Sequence, residues 1–222
     1  MMQTFNGQQY LRLALSSLSE TCDGIAVLDD GSTDDTPKII REFPKVHIVK
    51  TLPQKTQEWT RPDDELRNEM LRMADQVRPD WCCSLDDDEE FEDPADVRGF
   101  LLKAGADVQA VAFGIAHLWD KPEMARTSYV KNGQYQSRVR AWRWREGMMV
   151  HKRRFHCGSG PPTAYVQRLG LRIIHWGYID AAVRRAKYEM YCRLDPGGKD
   201  NGGSYEGLIS DAYVEPFVRK KR

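Results

Sequence analysis

The sequence has no Cys-x-x-Cys pair, no excess of either charge, no long apolar run and no internal repeat. Each absence removes a class of protein. The five cysteines, Cys22, Cys82, Cys83, Cys157 and Cys192, are odd in number, so neither a zinc knuckle nor a disulfide framework is expected. Buried free thiols in a reducing compartment fit best. Lys+Arg 33 against Asp+Glu 33 gives a formal net charge of zero, which removes the global electrostatic case for nucleic-acid binding. No apolar stretch approaches the ~20 residues of a membrane-spanning helix, and no signal-peptide pattern opens the chain. The expected location is the cytoplasm. The basic end Val218-Arg219-Lys220-Lys221-Arg222 reads as a frayed, solvated tail. Peripheral contact with an anionic inner membrane face is its alternative.

What is present suits one globular domain. The chain has 222 residues, of which 41% are hydrophobic and 10% aromatic, enough for a proper core. Charge is balanced overall but not locally. Acids dominate 29–35 and 86–96, and bases dominate 138–154 and 219–222. An acidic cluster facing a basic one is what a metal–diphosphate site would need.

Strand and helix patterns alternate. Asn6 is positioned to cap a helix whose apolar face carries Tyr10, Leu11, Ala14, Leu15 and Leu18. Gly24–Leu28 reads as a buried strand ending at Asp29-Asp30-Gly31-Ser32, before a helix through Phe43. Val46–Val49 is the next strand. Pro62 suits the first turn of a helix to about Val77. Residues 80–85 form a strand that ends in acids, and Asp93-Pro94 opens a helix to about Lys103. Residues 107–117 and 164–174 read as strands on either side of an antiparallel region, 118–160. The last helix is expected over 179–194, with Ile179, Val183, Ala186, Met190 and Leu194 inward. This alternation predicts an α/β domain with a mostly parallel, Rossmann-like sheet. Residues 1–117 form its parallel half and 118–194 a small antiparallel half. A flexible C-terminal segment, 195–222, completes it.

The chemistry concentrates at Asp86-Asp87-Asp88-Glu89-Glu90. A strand ending in acids presents carboxylates at the carboxyl edge of a sheet, where open α/β folds place ligands. A divalent cation relieves the repulsion of such a run, since hard carboxylate oxygens suit Mg²⁺ or Mn²⁺. A solvated acidic turn is the bland alternative. Asp86 and Asp88, at i and i+2, share a face if the segment is extended.

Several segments, in order, resemble family 2 glycosyltransferases. They are Gln3-Thr4-Phe5-Asn6-Gly7 with Tyr10-Leu11, Val27–Thr36 around Asp29-Asp30-Gly31-Ser32, the pair Arg67-Asn68, Leu85–Glu89, and Ile174-His175-Trp176-Gly177-Tyr178 with Lys187 following. The match covers most of residues 3–192, and it implies that 1–117 is the nucleotide-sugar half and 118–194 the acceptor-side half. It implies a GT-A fold and an inverting, metal-dependent transfer of a hexose from a nucleotide-diphosphate sugar, UDP-hexose being commonest. The acceptor would be a glycan or a lipid-linked glycan, as in surface polysaccharide biosynthesis. By resemblance, Thr4, Asp29, Asp30, Arg67 and Asp86 contact the donor. Asp88, Asp86 and His175 hold Mn²⁺ or Mg²⁺. A metal there neutralises charge on the departing diphosphate.

The sequence departs from the family in two places. Where relatives carry a His-Glu pair, this chain reads His151-Lys152, so the acid expected as general base is missing. His151, His156, Glu146 and Glu89 are the titratable candidates. Only Met1-Met2-Gln3 precede Thr4, so either the first strand is very short or this start lies inside a longer reading frame, and an apolar extension is expected to raise stability. Two other readings compete. A nucleotidyltransferase would need a Gly-rich phosphate loop with a Lys or Arg near the N-terminus, and none appears. A non-catalytic sugar- or partner-binding relative is the other.

Overall fold

The computed structural model describes residues 1–55, 61–126, 130–131, 134–161, 165–210 and 214–219. Its first half runs β1 (Met2–Thr4), α1 (Leu11–Thr21), β2 (Ile25–Asp29), α2 (Thr36–Arg41), β3 (Val46–Thr51), α3 (Asp63–Asp75), β4 (Trp81–Cys83), β5 (Leu85–Asp86), β6 (Glu89–Phe91) and α4 (Pro94–Lys103). There follow β7 (Ala110–Trp119), β8 (Lys121–Arg126), β9 (Val130–Lys131), β10 (Gln134–Tyr135), β11 (Ser137–Arg143), β12 (Val166–His175), α5 (Ala181–Leu194) and β13 (Val214–Pro216).

Two sheets form. Sheet A has the order β3-β2-β1-β5 and is parallel throughout. Parallel neighbours need crossovers, and α1 to α3 supply them. Sheet B is mixed: β11 lies between β4 and β7, and β12 pairs parallel with β7 and antiparallel with β6. Leu11, Ala14, Leu15 and Leu18 of α1 are fully buried with Met2, Val27 and Leu85 of sheet A. Leu66 and Met70 of α3 pack with Leu28, Cys82 and Trp142. Burying each such side chain stabilises the fold by roughly 1.5–3 kcal/mol before entropy is counted.

Three expectations need correction. The residue at the N-cap of α1 is Tyr10, not Asn6. Asn6 has a φ of 52° and its Oδ1 accepts from the Thr33 amide at 2.8 Å, so its side chain ties the 30s loop instead of the helix. The single strand expected over 80–85 is divided. Trp81–Cys83 pairs with β11 in sheet B, Ser84 interrupts, and Leu85–Asp86 joins β1 in sheet A. The inward face of α5 is polar: Arg184 and Tyr191 are buried while Ala186 is exposed. That face meets a charged cleft, so the apolar period of the helix does not choose its orientation.

The short first strand is observed, with three residues between β2 and β5. Among the described residues no helix is long and apolar enough to cross a membrane. Lys220, Lys221 and Arg222 of the basic end lie outside the described residues.

Candidate active site

The acid run is the crossing between the sheets. β5 leaves sheet A at Asp86, Asp87-Asp88 turn, and Glu89 enters β6, where it stands opposite His175 of β12. The carboxyl ends of β1 and β2 bring Thr4, Asp29 and Asp30 to the same edge.

Each acid has its own partners. Asp86 accepts from Arg67 Nη2 at 2.6 Å and from Arg140 Nη2 at 3.0 Å. Burial opposes its ionisation, but these two guanidiniums win and hold its carboxyl well below the usual range. Asp87 turns the other way and accepts from the Thr4 hydroxyl at 2.6 Å and the Phe5 amide at 3.3 Å. Burial first, and Asp88 second, push it up to about 7. Asp88 faces Lys187 Nζ at 3.4 Å and His175 Nε2 at 3.5 Å. Those two outweigh burial and lower its pKa. Glu89 lies against Arg140 at 2.5 Å, and burial raises it to about 7. Asp86 and Asp88 thus diverge because the segment turns, where an extended one would have kept them on one face.

The His-x-Gly segment has a steric reason. A Cβ on Gly177 would collide with the Asp88 carboxylate and come within 2.9 Å of Lys187 Nζ. The glycine lets β12's end lie directly against the acid turn. His175 is buried and its pKa is lowered by that burial. Its Nδ1 sits 3.1 Å from Nδ1 of His117, the residue paired with it in register on β7.

On the donor side, Asp29 Oδ1 accepts from the Ser32 amide at 2.9 Å, while its buried Oδ2 has no hydrogen-bond partner among the described residues. Asp30 is fully buried and paired with Arg61 at 2.5 Å and with Lys55. Gly31 has a φ of +84°, a region that disfavours side chains and turns the chain sharply after β2.

The four base candidates are dispersed. Glu146 meets Arg78 at 3.7 Å on the surface. His156 Nε2 is bonded to Tyr205 Oη at 2.9 Å. Glu89 is covered by Arg140. His151 is exposed in the loop that follows Val150.

Arg140, Lys55, Arg61 and His117 were missed by sequence reasoning. Arg140 falls at a register shift between Val139 and Ala141, a β-bulge that re-aims the side chain. Alternation along β11 therefore gives no warning of it.

A sequence profile described as Glycosyl transferase family 2 matches residues 1–155. The chain belongs to that family. An uncharacterized protein of Mycobacterium tuberculosis is 31% identical over 96% of this chain and 54% of its own length, and one from Mycobacterium bovis gives the same figures. The chain spans about half the length of these curated relatives. Among solved structures, S. aureus TarS 1–349 in complex with UDP-GlcNAc aligns with a TM-score of 0.54 at 13% identity, over 94% of this chain and 69% of that one. A longer S. aureus TarS structure gives 0.52 at 14% identity, over 94% and 41%. These likenesses show the fold, GT-A.

For a family 2 glycosyltransferase the question is whether the acid run fits a divalent cation. Among the described residues no three His, Cys, Asp or Glu side chains converge closely enough to hold one alone. Asp88 Oδ2 and His175 Nε2 do face each other. A hard carboxylate oxygen beside a neutral imidazole nitrogen would suit Mn²⁺ better than a pure Mg²⁺ site. Asp86 is engaged by two arginines.

Proposed function

We propose that this chain is a metal-dependent inverting glycosyltransferase that moves a hexose from a nucleoside-diphosphate sugar to a glycan or lipid-linked acceptor. The facing of Asp88 and His175 beside Lys187, across Gly177, carries the reading. That the S. aureus TarS fold binds UDP-GlcNAc agrees with it.

In this reading Asp88 and His175 would hold the cation, and the chemistry it would supply is positive charge beside the departing diphosphate. Lys187 adds a positive charge beside the same oxygens. Arg67 and Arg140 clamp Asp86, orienting it toward the ribose, and Asp29 offers its unpartnered Oδ2 to a donor hydroxyl or base N–H. Thr4 acts through Asp87, which it orients. Asp30 is neutralised by Arg61 and Lys55 and shapes the pocket wall. Of the four base candidates, His151 alone has a side chain with neither hydrogen bond nor ion pair among the described residues, so it is the one assigned to take the acceptor proton.

A panel of nucleotide sugars, with and without Mn²⁺, should release nucleoside diphosphate only with metal. Asp88→Ala should abolish that turnover, and a rate near wild type would sink the assignment. Pyrophosphate release would favour a nucleotidyltransferase instead. Nucleotide binding without any turnover would favour a non-catalytic relative.

A further inference from the structure

The run His151-Lys152-Arg153-Arg154 is exposed at all four positions. Its placement is fixed from both sides. Before it, the Val150 amide donates to Asn68 Oδ1 at 2.8 Å. Within it, the Asp63 amide donates to the Arg154 carbonyl at 2.9 Å, and after it the Cys157 amide donates to Asp63 Oδ2 at 3.4 Å. The Ser159 hydroxyl accepts from Arg140. Thus α3, which sends Arg67 to Asp86, also holds this run beside the acid turn.

The charges of the run are not neutralised. Arg153 donates to the Asp200 carbonyl, Arg154 lies 4.9 Å from the Phe155 ring, and no carboxylate pairs with Lys152, Arg153 or Arg154 among the described residues. Two exposed arginines elsewhere do find acids, Arg12 with Glu42 at 2.7 Å and Arg72 with Glu69 at 2.5 Å. The cations suited to the donor diphosphate are different ones, turned inward to Asp86 and Asp88.

We infer that Lys152, Arg153 and Arg154 receive a phosphate group carried by the acceptor, which makes the acceptor a phosphate-bearing polyol or sugar. Three adjacent cations repel one another, and a phosphate held by guanidinium forks relieves that repulsion while fixing the acceptor beside the donor. This rests on the glycosyltransferase reading above.

The test uses the intact chain saturated with UDP and Mn²⁺, so that the donor site is filled. Glycerol 3-phosphate and glycerol are titrated by calorimetry or ligand-observed NMR. Glycerol 3-phosphate should bind at least tenfold more tightly than glycerol. The triple variant K152A/R153A/R154A should lose that preference and keep its affinity for UDP. UDP binding without any preference for the phosphate overturns the inference alone. Absence of UDP binding overturns the glycosyltransferase reading and this one with it. Binding to phosphatidylglycerol vesicles that the triple variant loses, with no preference for glycerol 3-phosphate, overturns it in favour of a membrane surface.

Discussion

Gly177 and His117 show what single residues contribute around Asp88. A methyl at position 177 has nowhere to go except into the Asp88 carboxylate. Gly177→Ala should therefore weaken Mn²⁺ binding in the presence of UDP by tenfold or more, measured by calorimetry, while far-UV circular dichroism stays unchanged. His117 acts one step behind. For His175 Nε2 to ligate a metal its proton must sit on Nδ1, and His117 Nδ1 is the acceptor at 3.1 Å. Removing such an outer partner typically costs 10–100-fold in metal affinity, so His117→Phe should show a loss of about that size in Mn²⁺ titrations. Asp63 governs a pH effect. Burial raises it to about 6, Asp86 adds to the rise, and Arg67 and the Cys157 amide oppose it. The folded state thus binds more protons than the unfolded one between about pH 4 and 6, so this group makes stability fall as pH rises through that window. The distance between its ordinary value and about 6 bounds the loss at roughly 3 kcal/mol. Asp63→Asn should flatten the melting-temperature profile there, and an unchanged slope would refute the argument. The motif segments were legible as an ordered set that resembles one family, since each piece alone, such as an acidic run, also has a solvated-turn reading. Arg140 and His117 were not legible. One depends on a bulge and the other on a cross-strand register, and neither leaves a local trace.

Elements were legible where local periodicity decides them and illegible where a distant partner does. The apolar stripe of α1 and the Asp93 side chain that caps α4 at 3.0 Å are local signals; α4 formed where expected, and α1 formed with the expected buried face but starts after Tyr10. The split of residues 81–86 between two sheets is not local, because β4 is recruited by β11, far onward in the chain, and β5 by β1. The orientation of α5 follows from Arg184 reaching Asp120 at 2.6 Å and Lys187 reaching Asp88, contacts that outweigh a modest apolar stripe. The loop after Val150 hangs on Asn68. Asn68→Ala leaves the buried Val150 amide unpaired at a cost of about 1–3 kcal/mol. Hydrogen exchange should then accelerate across 150–157 and stay unchanged in β1 and β2. Equal exchange in both proteins would remove Asn68 as the anchor.

At the scale of the whole molecule, sheet A was foreseeable from strand–helix alternation, whereas the order of sheet B is set by pairings between β6, β7 and β12 that lie far apart in sequence. The two sheets share one continuous chain at the acid turn. A ligand that engages both should be felt globally. UDP with Mn²⁺ at about a hundredfold excess over its dissociation constant should add about 2.7 kcal/mol to stability. Differential scanning fluorimetry should show a clear upward shift that either component alone does not give. The division at Ser84 has a mechanical side. Asp86 moves with the sheet that carries Thr4 and Asp29, and Glu89 moves with the one that carries His175. Asp88 stands at the seam between them. Its carbonyl accepts from the Trp176 amide at 2.9 Å, so the turn is already stitched to the strand that carries His175, and a cation held between Asp88 and His175 would add a second stitch across the seam.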